Sequence, residues 1–441
     1  MDYLKRLLVG KPLKSAENDE HKLTRFAALA LLSSDALSSI AYGTEQIVVV
    51  LVALSTAAIW YSLPIAAFVI ILLISLTLSY RQIIHAYPQG GGAYVVSSEN
   101  LGKNAGLIAG GSLLIDYMLT VAVSVSAGAE AITSAIPALY GHQVAISVAI
   151  VLLLMMLNLR GLRESASFLL FPVYTFIIVI TLLIAVGLFN IITGAVPLHA
   201  TALPGAAIPG VSIALILRAF SSGSSSLTGV EAISNAVPFF KKPRAKNAAA
   251  TLTMMALILG FFFVGITFIN YWYGIVPEKE VTVLSQIGKA VFGHGALYYV
   301  LQFATALILA VAANTGFSAF PVLAYNLAKD KFMPHMYQDR GDRLGYSNGI
   351  MTLAFGSIIL LFIFHGSTER LIPLYSIGVF IPFALSQTGM VVKWKKEGKN
   401  WLGKSIANIV VQTTDGQKVP ISVYNVKRVG YKKEWWQFWK K

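Results

Sequence analysis

Leu31-Leu-Ser-Ser-Asp35-Ala-Leu-Ser-Ser-Ile-Ala-Tyr42-Gly-Thr-Glu45-Gln46 interrupts an apolar segment running from residue 25 to 56. A membrane-spanning helix needs about 20 mostly apolar residues. The length is there, yet serines, a glycine and two carboxylates occupy its middle. Such groups are costly in hydrocarbon and persist where a helix is broken or faces an interior path. A second stretch answers the first: Ala219-Phe-Ser-Ser-Gly-Ser-Ser-Ser-Leu-Thr228-Gly-Val-Glu231-Ala-Ile-Ser-Asn235, inside the segment 208–238. Both are long and Ser-rich, and both end in Gly-x-Glu. Interrupted helices at matching positions of two halves point to a transporter site. Close helix packing through Ser and Gly is the simpler reading, and it does not account for the acids.

Working outward, the other apolar segments are 60–80, 106–136, 144–158, 167–192, 248–276, 296–325, 349–366 and 371–392. The two broken stretches are then the first and sixth of ten predicted transmembrane segments in an all-α membrane protein. Composition agrees: 56% of the 441 residues are hydrophobic and 12% charged, against about 25% charged in soluble domains. Lys and Arg alternate between loops, 18 on one side before the tail and three on the other. The positive-inside bias then places both termini in the cytoplasm of a multi-pass cell-membrane protein. The expected organisation is a cytoplasmic N-terminus at 1–24, five-helix repeats at 25–192 and 208–392, and a basic cytoplasmic tail at 393–441. No cleavable signal peptide is expected at the N-terminus. In the tail, residues 409–424 read as a hairpin about Asp415-Gly416. Glu434-Trp-Trp-Gln-Phe-Trp-Lys-Lys441 is an aromatic and basic end suited to a membrane interface.

Cys is absent, which excludes disulfides and thiolate metal sites. Tyr87-Pro-Gln-Gly-Gly-Gly-Ala-Tyr94 is Gly-rich but lacks the Gly-Lys-Ser/Thr of a P-loop. It reads as a re-entrant or tight turn, and ATP-driven transport by this chain alone is not expected. Neither enzyme chemistry, nor a cofactor, nor nucleic-acid binding is indicated.

The chemistry lies in ionisable groups within the spans: Asp35, Glu45, Asp116, Glu130 and Glu231, against Arg218. An acidic interior suits a cation, protons, or both. Asp116, Thr120 and Ser124 recur at i, i+4 and i+8, an oxygen-bearing stripe on one helix face, with Tyr117 beside it. Thr228 and Glu231, at i and i+3, are expected to meet at the second break. Asp35 and Tyr42 bracket the first. Alkali cations want several carbonyl, hydroxyl or carboxylate oxygens. Hydroxyl back-bonding to the helix competes with that reading, as does pairing of Asp116 with Arg218. Glu45 and Glu130 lie nearer the outer ends and are expected to face water. Glu231 is the first candidate for proton coupling and Asp116 the second. Asn314, Thr315 and Ser318 could line a second cation site or simply bond between helices.

The quoted stretches, with Asp116-Tyr117, Thr120, Ser124 and Leu374-Tyr375, closely resemble KimA-type potassium importers over about residues 1–404. These belong with the KUP group of the amino acid–polyamine–organocation superfamily. The resemblance implies a LeuT-like 5+5 inverted repeat with broken first and sixth helices, and proton-coupled potassium uptake. It would place potassium, as the transported ion, at Asp35, Tyr42, Asp116, Tyr117, Thr120, Ser124, Thr228, Glu231 and Tyr375. Tyr375 enters by resemblance alone. The family continues with two more membrane helices and a cytosolic domain that mediates dimerisation and is linked to cyclic di-AMP inhibition. The sequence after Lys393 departs from that pattern, which puts a homodimer and nucleotide control in doubt. Lipid, potassium and protons are the expected partners. An amino-acid or polyamine permease of the same fold is the alternative. Asp35 before the first break argues against a carboxylate-bearing substrate and leaves a polyamine open. A truncated relic that transports nothing is the third reading.

Overall fold

The computed structural model describes residues 23–90, 92–160, 166–199, 202–339 and 346–398. The expected hairpin and aromatic end lie outside the described residues. Within them the chain is all-helical, with no β-strand and two single β-bridges.

The first apolar segment is three helices in series: α1 (Arg25–Leu32), α2 (Ser34–Ser38) and α3 (Ile40–Val52). A 3-10 turn, Thr56–Tyr61, leads into α4 (Ser62–Ala86). Then come α5 (Gly92–Leu101), α6 (Lys103–Ala135), α7 (Gln143–Leu159) and α8 (Ala166–Ile192). The sixth apolar segment is also interrupted, as α9 (Ile213–Ser224), a 3-10 turn and α10 (Val230–Asn235). The remainder is α11 (Arg244–Trp272), α12 (Val283–Phe292), α13 (Ala296–Lys329), α14 (Ser347–Ile363) and α15 (Thr368–Glu397). Among the described residues six helices are long and apolar enough to cross a membrane, namely Thr56–Ala86, α6, α8 from Leu170, α11, α13 and α15. The apolar helices α3, α7, α12 and α14 are shorter, at 10–17 residues.

Two helices depart from the expected loops. The Gly-rich segment makes its turn at Pro88–Gly90 and then continues as α5, so it is a turn followed by a helix. α12 occupies the loop expected between 277 and 295. Its apolar positions Val283, Leu284, Ile287 and Val291 are buried, which gives this ten-residue helix its footing.

The polarity of the bundle runs outward from polar to apolar. Phe68, Ile71, Ile74 and Leu78 point outward from α4, as do Phe355, Ile359 and Phe362 from α14. Meanwhile Asp35, Asp116, Glu231 and many Ser and Thr hydroxyls are buried. α6 is the central post, packed chiefly against α13, α15 and α5. At 33 residues it is about 50 Å long, against roughly 30 Å of hydrocarbon. Its buried Gly, Ala and Ser positions let neighbours approach closely. Gly378 of α15 brings that helix onto the backbone of Asp116.

The two broken helices are packed against each other. α9 packs along α3, and a Cβ on Gly43 would lie 2.7 Å from the Ser226 Cβ. Near α1 they are tied again, by Leu23 N–H donating to Phe239 O (2.9 Å) and Lys241 N–H to Leu23 O (3.0 Å).

Candidate functional site

The first break falls at Ser33 and Ser39, so Asp35 and Tyr42 flank Ser39 as their spacing anticipates. The Ser39 hydroxyl reaches two carbonyls, Ala36 O at 2.6 Å and Ser226 O at 2.5 Å. One O–H thus sits between backbone groups of both breaks. In the second break Thr228 is extended (φ −67°, ψ 162°) and Gly229 is left-handed (φ 78°). Thr228 and Glu231 therefore do not share a helix face. The unwound backbone, not an i, i+3 turn, sets their relation, which corrects the helical spacing argument.

α6 contributes Asp116, Tyr117, Thr120 and Ser124, all buried, from one continuous helix. The Thr120 hydroxyl donates to the Tyr375 hydroxyl of α15 at 3.4 Å. The Tyr42 hydroxyl lies beside Thr228 and Tyr375, although Thr228 Oγ1 closes no hydrogen bond of good geometry. Asp35, Asp116 and Glu231 are near enough to repel one another. Asp35 Oδ1, Asp116 Oδ1 and Glu231 Oε2 are buried without a hydrogen-bond partner among the described residues. Buried carboxylate oxygens with no donor are costly, and a cation or proton placed among them would offset that cost. Arg218 is exposed on α9 while Asp116 is 3% exposed, so the two do not pair. Among the described residues no group of three His, Cys, Asp or Glu could hold a metal ion. Buried with the three carboxylates are the hydroxyl-bearing Tyr42, Tyr117, Thr120, Ser124, Thr228 and Tyr375.

The outlying acids are engaged. Glu45 Oε2 accepts from Val283 N–H (3.2 Å), and Glu130 Oε1 accepts from Thr368 N–H (3.0 Å). Both are half-buried helix caps, so the expectation that they simply face water is corrected. Asn314 Oδ1 accepts from the Asn158 amide (2.6 Å), while the Thr315 and Ser318 hydroxyls turn back to Ala312 O and Asn314 O. That is bonding within and between helices, and it brings no second cluster of free oxygens together there. Tyr80 of α4 joins the site without being among the residues that the sequence singles out. It is fully buried beside Glu231 and Ser386, and its place at the polar end of a span, before Arg81, is the signal available in sequence.

Residues 23–414 match the family model described as Amino acid permease. The chain belongs to this family. Among curated relatives, the permease is 61% identical over 408 residues to the potassium transporter KimA of Bacillus subtilis, covering 92% of this chain and 67% of that one. It is 23% identical over 356 residues to the low-affinity putrescine importer PlaP of Escherichia coli, covering 76% and 74%. A solved manganese transporter from Eremococcus coleocola aligns with a TM-score of 0.49 at 14% identity, covering 89% of this permease and 85% of that chain. Family membership and the long apolar helices make this a multi-pass membrane transport protein.

Proposed function

We propose that this protein imports potassium across the cell membrane and couples the import to protons. The observation that carries the proposal is the buried set of Asp35, Asp116 and Glu231, each with an unpartnered oxygen, two of them on the broken helices and one on α6. Tyr42, Tyr117, Thr120, Ser124, Thr228 and Tyr375 are buried with them, and together these nine residues would replace the water shell of a hard alkali cation. Glu231 is the coupling group, with Asp116 beside it: a carboxylate that gains a proton facing one side and loses it facing the other links ion and proton movement. The identity to the Bacillus potassium transporter supports the choice of cargo. In the architecture that goes with this reading, ten spans form a LeuT-like 5+5 inverted repeat, 25–192 and 208–392. Both ends are cytoplasmic, and residues 393–441 form a basic cytoplasmic tail.

A second reading has a specific observation behind it. The putrescine importer is a relative over three quarters of the chain, and a dication would also satisfy an acidic path. Growth on limiting potassium of a host lacking potassium uptake separates the two, with radiolabelled putrescine uptake measured in parallel. The importer reading expects rescue by the wild-type chain, lost in both Asp116→Asn and Glu231→Gln at equal membrane abundance. Putrescine uptake without rescue would replace it. A Glu231→Gln variant that still imports potassium with normal cytosolic acidification would remove the proton assignment.

A further inference from the structure

On the outer surface of the bundle, α4, α8 and α11 enclose a groove of about 590 Å³. That volume is in the range of small-molecule sites. Its rim is apolar and exposed: Ile74 and Leu78 from α4, Leu257 (70% exposed), Phe261 and Val264 from α11. Gly260 lies in its floor, where a Cβ would meet only ordinary contacts with Ile70 and Leu73. The two lining hydroxyls are spent on their own helices, Thr77 on Leu73 O (2.7 Å) and Thr253 on Ala249 O (2.9 Å). Hydrocarbon is the matching content for such a wall.

One end differs. Arg81 is the single charged residue among the lining residues, and no carboxylate lines the groove. Its Nη1 donates to Thr253 Oγ1 at 3.4 Å, which moors the guanidinium at the groove mouth with one of its five N–H groups engaged. Lys246 is exposed on the same face of α11, seven residues before Thr253 and about 10 Å further along the helix. An apolar slot with one cation at its mouth and a second exposed beyond it is complementary to a lipid with a negative head.

We propose that this groove is a binding site for an anionic phospholipid, its acyl chain along α4 and α11 and its phosphate at Arg81 and Lys246. Arg81 selects the head by charge, and the slot selects nothing beyond a chain. The guanidinium is also anchored at the depth of Thr253, so the headgroup is drawn to that level of the bundle.

The test is native mass spectrometry of the full chain in mild detergent, titrated with phosphatidylglycerol or with phosphatidylcholine of the same chains. The wild type should retain phosphatidylglycerol in preference. Arg81→Gln should reduce that preference about fivefold, from the roughly 1 kcal/mol that one basic residue contributes near an anionic surface, and Arg81→Lys should keep most of it. Gly260→Trp, which fills the floor, should lose both lipids. Leu257→Trp at the rim takes its place if that variant is not monodisperse. Arg218→Gln, an exposed arginine on α9, should change nothing. The proposal is overturned by equal retention of the two lipids, by an unchanged preference in Arg81→Gln, or by full retention in the filled-groove variant. Displacement by millimolar inorganic phosphate would also overturn it, since that describes a bare anion site, as would a dimer that Leu257→Trp dissolves.

Discussion

Gly229 is held where a side chain has no room. Its φ of 78° is left-handed, a conformation that costs an L-residue about 1–2 kcal/mol. A Cβ there would also lie 2.8 Å from Asp35 Oδ2 and 2.9 Å from Ala36 N. Gly194, just past the end of α8, has a similar φ of 73° but open space around it. Comparing the two separates backbone strain from the contact with Asp35. Gly194→Ala should lose stability by about that strain and retain uptake. Gly229→Ala should lose more stability, and uptake should fall more than tenfold as Asp35 and Glu231 are pushed apart. Thermal unfolding and rubidium uptake measure both, and matching behaviour of the two variants would remove the contact argument. At this scale sequence carries part of the answer. The stripe Asp116, Thr120 and Ser124 is legible because α6 is a regular helix. The placement of Thr228 against Glu231 is not, because it depends on an unwound backbone. Ser39 meeting Ser226 O, 187 positions away, leaves no trace in local spacing, and Tyr375 is suggested only by resemblance.

The helix ends follow a similar division. The long helices are readable from their apolar runs to within a few residues, since hydrocarbon-facing positions leave little choice of residue. α5 and α12, ten residues each, are not readable, because so short a helix owes its stability to the surface it packs on. Two carboxylates help to fix such starts. Thr368 begins α15 with no side-chain cap from Ser367, and Glu130 accepts its N–H. Val283 begins α12 with Glu45 in the same role, but Thr282 also caps that helix through Ser285 N–H. Glu130→Ala should therefore cost about 1–2 kcal/mol and Glu45→Ala distinctly less, as read by thermal unfolding in one detergent. The reverse order would mean that these carboxylates act otherwise than as caps. Outside the spans, Tyr94 of α5 donates to Asp330 Oδ2 (2.6 Å). Burial first, and the hydrogen-bonded carboxylate second, push its phenol above the ordinary value, so it remains a donor at physiological pH and holds α5 to the end of α13.

For the whole molecule, the proposed ten spans are a question of parity. α6, α11 and α13 have 33, 29 and 34 residues, about 50, 43 and 51 Å, so each carries the chain fully across. That puts His294 and His335 on opposite faces, and likewise Gln89 and Ala138. Joining these pairs depends on α7, α8 and the broken helix α9–α10 between Ala138 and Lys242. α7 has 17 residues, about 25 Å, slightly less than the hydrocarbon thickness. If all three segments cross, Ala138 and Lys242 face opposite sides. The second five helices then run inverted to the first, and the two breaks meet at mid-depth. The chain contains no Cys, so every introduced cysteine reports alone. Ala138→Cys and His294→Cys should react with an impermeant maleimide on intact cells. Gln89→Cys, Lys242→Cys and His335→Cys should react only after permeabilisation, because the basic loops are expected inside. Labelling of positions 138 and 242 from the same face would show that one of the three intervening segments does not cross. The inverted repeat would then fail with it, while the buried meeting of Asp35, Asp116 and Glu231 would need another explanation.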